Sequence, residues 1–226
     1  MKLSSLNKGL VGHWTMSQDS LKGFLLADKT PYENDGTIYG ATFTTDRKGQ
    51  PNKAMVFDGV DDYVEILHNS NLSLSDNFSF GLWVKLITLP SGATTFLIKG
   101  SSNQAFDNYL IYLNPNGIVD GYVGKEDNSG NYKRSIGNIN NGNWHHVLFT
   151  FHSVGGFKGY LDGVQVDTTL STGTKAATNS NSVYLAYKWG TIYPNILLDD
   201  VRIYNRALSQ AEITTLYNSY NSKIQL

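Results

Sequence analysis

Apolar and polar positions alternate in short runs along most of the chain, and Gly, Asn, Asp and Pro bound the runs. A period of two is that of a half-buried β-strand. Phe78-Ser79-Phe80-Gly81-Leu82-Trp83-Val84-Lys85-Leu86 puts Phe78, Phe80, Leu82, Val84 and Leu86 on one face and Trp83 on the other. Residues 10–16, 37–43, 96–100, 109–113, 121–124, 182–187 and 196–204 read as further strands. Met55-Val56-Phe57 and Asp61-Asp62-Tyr63-Val64-Glu65-Ile66 flank the turn Asp58-Gly59-Val60. Asn114-Pro115-Asn116-Gly117 has the residues of a hairpin turn. The richest run is Trp144-His145-His146-Val147-Leu148-Phe149-Thr150-Phe151. Both of its faces are apolar enough to be covered, as in the inner part of a sandwich. Leu161-Asp162-Gly163-Val164 then predicts a tight hairpin, because an Asp-Gly pair supplies the positive φ angles of a two-residue turn.

One segment leaves this period. Ser209 followed by Glu212 is a capping box, and Ile213, Leu216 and Tyr217 recur at helical spacing. The pattern therefore predicts one short C-terminal helix on an otherwise all-β chain. No repeat or linker interrupts it, so residues 1–226 read as a single domain.

Composition narrows the function classes. With 14 Tyr, 10 Phe, 4 Trp and 22 Gly the chain favours strands and turns. The formal net charge is −1 and no basic block occurs, so nucleic-acid binding by phosphate neutralisation has no footprint. The same absence argues against an anionic membrane surface, and no stretch approaches the roughly 18 apolar residues of a membrane span. There is no cysteine, so the core must suffice without disulfides, and the redox compartment stays open. Met1 to Gly9 lacks the apolar run of a secretory leader. The expectation is a mature or trimmed piece, or a chain that reaches its place without a leader, as a phage structural protein released by lysis does.

Three stretches carry a family resemblance. Asn143-Trp144-His145-His146-Val147 with Tyr160-Leu161-Asp162-Gly163 resembles the signature of laminin-G-like domains, the concanavalin A-like lectin/glucanase jelly rolls close to the pentraxins. Phe57-Asp58-Gly59-Val60-Asp61-Asp62-Tyr63-Val64 resembles one of their strands, and Leu198-Asp199-Asp200-Val201-Arg202-Ile203-Tyr204-Asn205-Arg206-Ala207-Leu208-Ser209 their closing strand. These lie in order across most of the chain. They imply a jelly-roll β-sandwich of two antiparallel sheets. That fold hosts lectins, adhesion modules, glycosidases and structural domains, so function has to come from the site.

The resemblance implies a structural calcium held by Asp199 and by backbone near Gly59, with Asp28 as a weaker addition. Calcium takes six to eight oxygens. Asp28-Lys29-Thr30-Pro31-Tyr32-Glu33-Asn34-Asp35-Gly36 is open to two readings, an oxygen-rich cation loop or an ordinary Asx turn. Zinc has little to bind: neighbouring His145 and His146 point to opposite faces of a strand. For hydrolysis, jelly-roll glycosidases need two carboxylates facing each other, about 5–5.5 Å apart for retention. The four Glu residues, Glu33, Glu65, Glu126 and Glu212, stand in no such pattern, so no enzyme is expected. For binding, sugars want an aromatic platform with a few amides and carboxylates on rigid β-loops. Trp189 and Tyr193, on a loop broken by Gly190 and Pro194, lead the candidates, followed by Tyr132, Tyr109, Phe106 and Asn128. The expected function is non-catalytic, lectin-like recognition of a glycan or glycoconjugate outside the cell, at a cell surface or on a virion. The alternative is a virion or cell-surface structural or adhesion module that binds a protein partner or self-assembles.

Overall fold

In the computed structural model, residues 6–101, 107–166 and 175–221 are described. The strands run in chain order as β1 Leu10–Trp14, β2 Leu21–Lys22, β3 Leu25–Leu26, β4 Gly36–Tyr39, β5 Thr42–Thr44, β6 Ala54–Asp58, β7 Tyr63–Ile66 and β8 Asn77–Leu86. They continue as β9 Thr94–Lys99, β10 Tyr109–Leu113, β11 Ile118–Gly124, β12 Asn131–Asn138, β13 Trp144–His152, β14 Gly156–Leu161, β15 Val164–Gln165, β16 Val183–Leu185 and β17 Asn195–Tyr204, and helix α1 spans Gln210–Asn221. The first sheet has the order β15-β14-β13-β8-β17-β6-β5, with β1 also beside β17; the second runs β12-β11-β10-β9-β16-β7-β4-β3-β2. Among the described residues every pairing is antiparallel. This is the expected jelly-roll sandwich with its short C-terminal α-helix.

The core follows from the alternation. β13 and β8 pair without a slip from Trp144↔Lys85 to His152↔Asn77. That register sends Phe78, Phe80, Leu82, Val84, Val147, Phe149 and Phe151 into the space between the sheets. Phe80 meets Tyr109 of the opposite sheet at 5.1 Å between ring centroids. The outer face of β13 is apolar for a different reason. Helix α1 lays Ile213 and Leu216 over Leu148, Tyr160 and Tyr204 there, and Tyr217 stacks on Trp83 at 5.5 Å. The capping box forms: the Ser209 N–H and hydroxyl each donate to the Glu212 carboxylate at 2.9 Å.

The Asp-Gly hairpin also forms, with Asp162 at φ 51 and Gly163 at φ 79. Asp162 then binds back to the centre of the sheet. Its carboxylate meets His145 Nδ1 at 2.8 Å and accepts the His146 N–H at 2.9 Å. The histidine pair thus belongs to this turn and its sheet.

Strand β17 shows how sequence sets up a polar site. β6 pairs with its first half and β1 with its second. Between them, Asp199 faces Trp83 and Arg202 faces Gly81, so β17 carries one extra residue there. Asp200 takes φ 49 in this bulge, a conformation that Asp tolerates better than most residues. Among the described residues no helix is long and apolar enough to cross a membrane.

Candidate functional site

The outer face of the second sheet is paved with tyrosine. On β7, Val64 and Ile66 point into the core, so Tyr63 and Glu65 point out. β4 pairs Tyr39 with Tyr63, and β16 pairs Tyr184 with Glu65. The Tyr39 and Tyr63 rings stack at 4.4 Å. β16 stops at Leu185 because Ala186 takes φ 54. That residue resets the alternation. Tyr187, three positions after Tyr184, returns to the same face and stacks on it at 4.4 Å. The Thr95 hydroxyl holds the Tyr187 carbonyl at 2.8 Å. Tyr193 closes the group, 6.3 Å from Tyr63 and 6.0 Å from Tyr187.

The paving continues towards β10 and β11. Trp189 and Ile192 exchange backbone hydrogen bonds around Gly190, and Trp189 lies edge-on to Tyr112 at 5.2 Å. Tyr112 in turn meets Tyr122 at 5.8 Å. Polar groups border the rings. The Glu65 carboxylate accepts the Tyr184 and Ser182 hydroxyls at 3.0 Å each. Buried Asp120 is held by Ser135, Asn114 and Lys133. Burial raises the Tyr63 and Tyr184 phenols above the ordinary tyrosine range, so both remain neutral donors at physiological pH. Beside Tyr184 and Tyr187 opens a cleft of about 380 Å³, walled also by Ser101, Asn181, Ser182 and Lys188. Such a surface offers ring faces for C–H groups and a polar wall for hydroxyls.

The residues expected to bind ligand fall in different places. Trp189 and Tyr193 lie on this face, half-buried against its other rings. Tyr109 does not: β10 alternates Tyr109, Ile111 and Leu113 into the core, and the buried Tyr109 hydroxyl donates to the Leu72 carbonyl at 2.9 Å. Its neighbour Tyr112 is the outward residue. Tyr132 is likewise buried, 5.4 Å from Phe151. Asn128 is exposed at the β11–β12 turn with φ 56. Phe106 lies outside the described residues. Sequence reasoning missed Tyr39, Tyr63, Tyr184, Tyr187, Tyr112 and Tyr122. The signal for most of them was tyrosine at the positions alternating with core aliphatics, as in Tyr63-Val64 and Val183-Tyr184-Leu185.

The three residues expected to hold calcium lie in different surroundings, the two aspartates with protein partners of their own. Asp28 is saturated by four donors: the His13 N–H at 2.9 Å, the Thr30 N–H at 3.0 Å, the Thr30 hydroxyl at 2.7 Å and the Asn34 N–H at 3.1 Å. The Thr30 N–H bond to Asp28 closes an Asx turn in this loop. Asp199 pairs with the Arg47 guanidinium, each side chain being 7% exposed. Gly59 packs on Asn195, four residues before Asp199 on β17 and therefore about 13 Å away at about 3.3 Å per residue. Next to the Arg47 pair, Asp200 meets His13 Nε2 at 2.7 Å and Arg202 Nε at 3.0 Å. His13, Arg47, Asp199 and Asp200 line a second cleft of about 390 Å³, whose wall also carries Asp19, Asp46, Lys29, Lys48 and Lys53. Asp58, Asp61 and Asp62 lie close enough to share an ion, but Asp58 and Asp62 already accept backbone N–H groups of their own turn.

Comparison with known proteins agrees with the architecture. A family profile described as the concanavalin A-like lectin/glucanases superfamily matches residues 58–214. The binding domain of Paraclostridial mosquitocidal protein 1 superposes with a TM-score of 0.74 at 16% identity, over 94% of this chain and 52% of that one. The botulinum neurotoxin serotype D ligand-binding domain, solved in complex with N-acetylneuraminic acid, gives 0.76 at 14%, over 96% and 52%. The Trypanosoma rangeli sialidase, solved in complex with sialic acid, gives 0.67 at 19%, over 94% and 33%. At such identities the likeness shows the fold. The chain spans about half the length of these two binding domains and a third of the sialidase. No curated protein matches in sequence.

Proposed function

This chain belongs to the concanavalin A-like lectin/glucanase superfamily, and we propose that it is a non-catalytic carbohydrate-binding module whose ligand lies on the tyrosine face of the second sheet. The observation that carries this reading is the continuity of that face. Tyr39, Tyr63, Tyr193, Tyr187 and Tyr184 touch ring to ring and end at a polar cleft. Rings held this way are fixed before any ligand arrives, which lowers the entropic cost of binding. The acids bordering the face are engaged, Glu65 by two hydroxyls and Asp120 by Ser135, Asn114 and Lys133. They support orientation of hydroxyl groups rather than proton transfer. A solved neighbour bound to N-acetylneuraminic acid is consistent with a glycan partner for the fold. A glycan ligand also fits a place outside the cell or on a cell or virion surface. The reading needs no calcium.

The test is a glycan array followed by calorimetry on the best binder. Removing one ring that covers about 60 Å² of apolar sugar surface costs about 1.5 kcal/mol, or roughly tenfold in affinity. Tyr63→Ala and Tyr187→Ala should each lose that much. Asn128→Gly, at the remote turn, should lose nothing. Equal affinities for all of these proteins would sink the placement of the site. Absence of any glycan binding would sink the function and leave the protein-partner alternative.

A further inference from the structure

We infer that the ligand of this face is an acidic saccharide, whose carboxylate or sulfate ester seats on Lys188. The inference rests on the carbohydrate reading above and adds its chemical class. The Lys188 ammonium lies 5.9 Å from the Tyr187 ring centroid and 5.8 Å from that of Tyr193. It stands at the point where the ring platform meets the cleft. Four other cations of the fold are neutralised by acids, Lys133 by Asp120, Arg47 by Asp199, Arg206 by Glu212 and Arg202 by Asp200, and buried Lys99 spends its ammonium on His68, Asn179 and Asn181. Lys188 has no such ion pair among the described residues.

The surroundings suit an anion at that one spot. The described wall of the cleft holds Ser101, Asn181, Ser182, Tyr184 and Tyr187 beside Lys188, with no Asp or Glu among them. Glu65, the acid bonded to this wall, accepts hydrogen bonds from the Tyr184 and Ser182 hydroxyls. Those hydroxyl oxygens are thereby left as acceptors for sugar O–H groups. Aromatic faces carry negative potential, which attracts the ammonium and repels an anion. An acid group on the ligand is therefore excluded from the ring faces and finds its one complement at the Nζ. The C–H face of the sugar takes the rings. The net charge is −1, so no global field draws acidic ligands, and selectivity has to arise locally.

A microarray of matched oligosaccharides tests this. Each neutral glycan is printed beside its sialylated and its sulfated form, and probed with the wild type, Lys188→Gln and Lys188→Arg. A charge-assisted contact predicts at least about a tenfold preference of the wild type for an acidic member over its neutral parent. Lys188→Gln should bring that ratio to about one, and Lys188→Arg should keep it. The preference should also shrink as salt is raised. The rank of sialylated against sulfated members then identifies the source of the anion. Equal binding of neutral and acidic members, or a preference that survives Lys188→Gln, would overturn the acidic ligand and leave the carbohydrate reading standing. Binding to none of the glycans would overturn both.

Discussion

Replacing Arg47 by Ala removes the positive partner of a carboxylate that lies nearly buried at the wall of a cleft. Arg47 and Asp199 are each 7% exposed at the side chain, and the guanidinium also lies 4.7 Å from the Trp83 ring. Breaking a buried pair by deleting one member costs about 3–5 kcal/mol, because the other charge is left uncompensated. For a domain of this size each kcal/mol moves the midpoint by about 2–4 °C, so the Tm should fall by about 6–20 °C. Thermal unfolding followed by circular dichroism measures this directly. The double variant Arg47→Met/Asp199→Leu should fall much less, since it leaves no orphaned charge. The same pair decides the response to calcium. In the wild type Arg47 already meets the charge of Asp199, so calcium and EDTA should give equal midpoints. In Arg47→Ala the Asp199 carboxylate is freed to take an ion, while Asp200 stays with His13 and Arg202. Calcium at a hundred times its Kd adds about 2.7 kcal/mol, or roughly 5–10 °C. An Arg47→Ala midpoint within 2 °C of the wild type would refute the buried-pair reasoning. A calcium shift in the wild type that disappears in Asp199→Ala would show Asp199 to be a metal ligand instead.

Acid sensitivity should trace to His146. Burial pushes its imidazole down to about 4 from the usual 6.5. The folded state thus keeps it neutral while the unfolded chain takes up the proton, so stability is full above about pH 6.5 and declines as the pH falls towards 4. The integrated loss is about 3 kcal/mol. Urea midpoints between pH 4 and 7 should flatten in His146→Phe, and an unchanged slope would clear this residue. Ser209→Ala removes the hydroxyl half of the capping box, costing about 1 kcal/mol and about 2–4 °C. A midpoint equal to the wild type would mean that the Arg206–Glu212 contact, 2.8 Å long, fixes the helix start by itself.

The sequence by itself determined the sandwich and most of its register. Where side chains alternate without interruption, as from Phe78 to Leu86, burial fixes which face each residue takes. Local chemistry was equally legible: Asp162-Gly163 had to turn and Ser209 to Glu212 had to cap, because neither depends on distant residues. Even the two apolar faces of Trp144–His152 were readable, although the helix that covers one of them arrives from the far end of the chain. The sites were not legible in this way. Tyr184 and Tyr187 share a face only because Ala186 takes a positive φ, which a period of two does not anticipate. Tyr109 and Tyr112 are equally aromatic in the sequence, and only the pairing of β10 with its neighbours sends the first inward and the second outward. The ion pair of Asp199 was not legible either, because its partner, Arg47, lies 152 residues away in a segment without any signal of its own. Secondary structure and core came from local spacing, whereas ring contacts and charge pairs formed between strands whose adjacency only the closed sandwich decides.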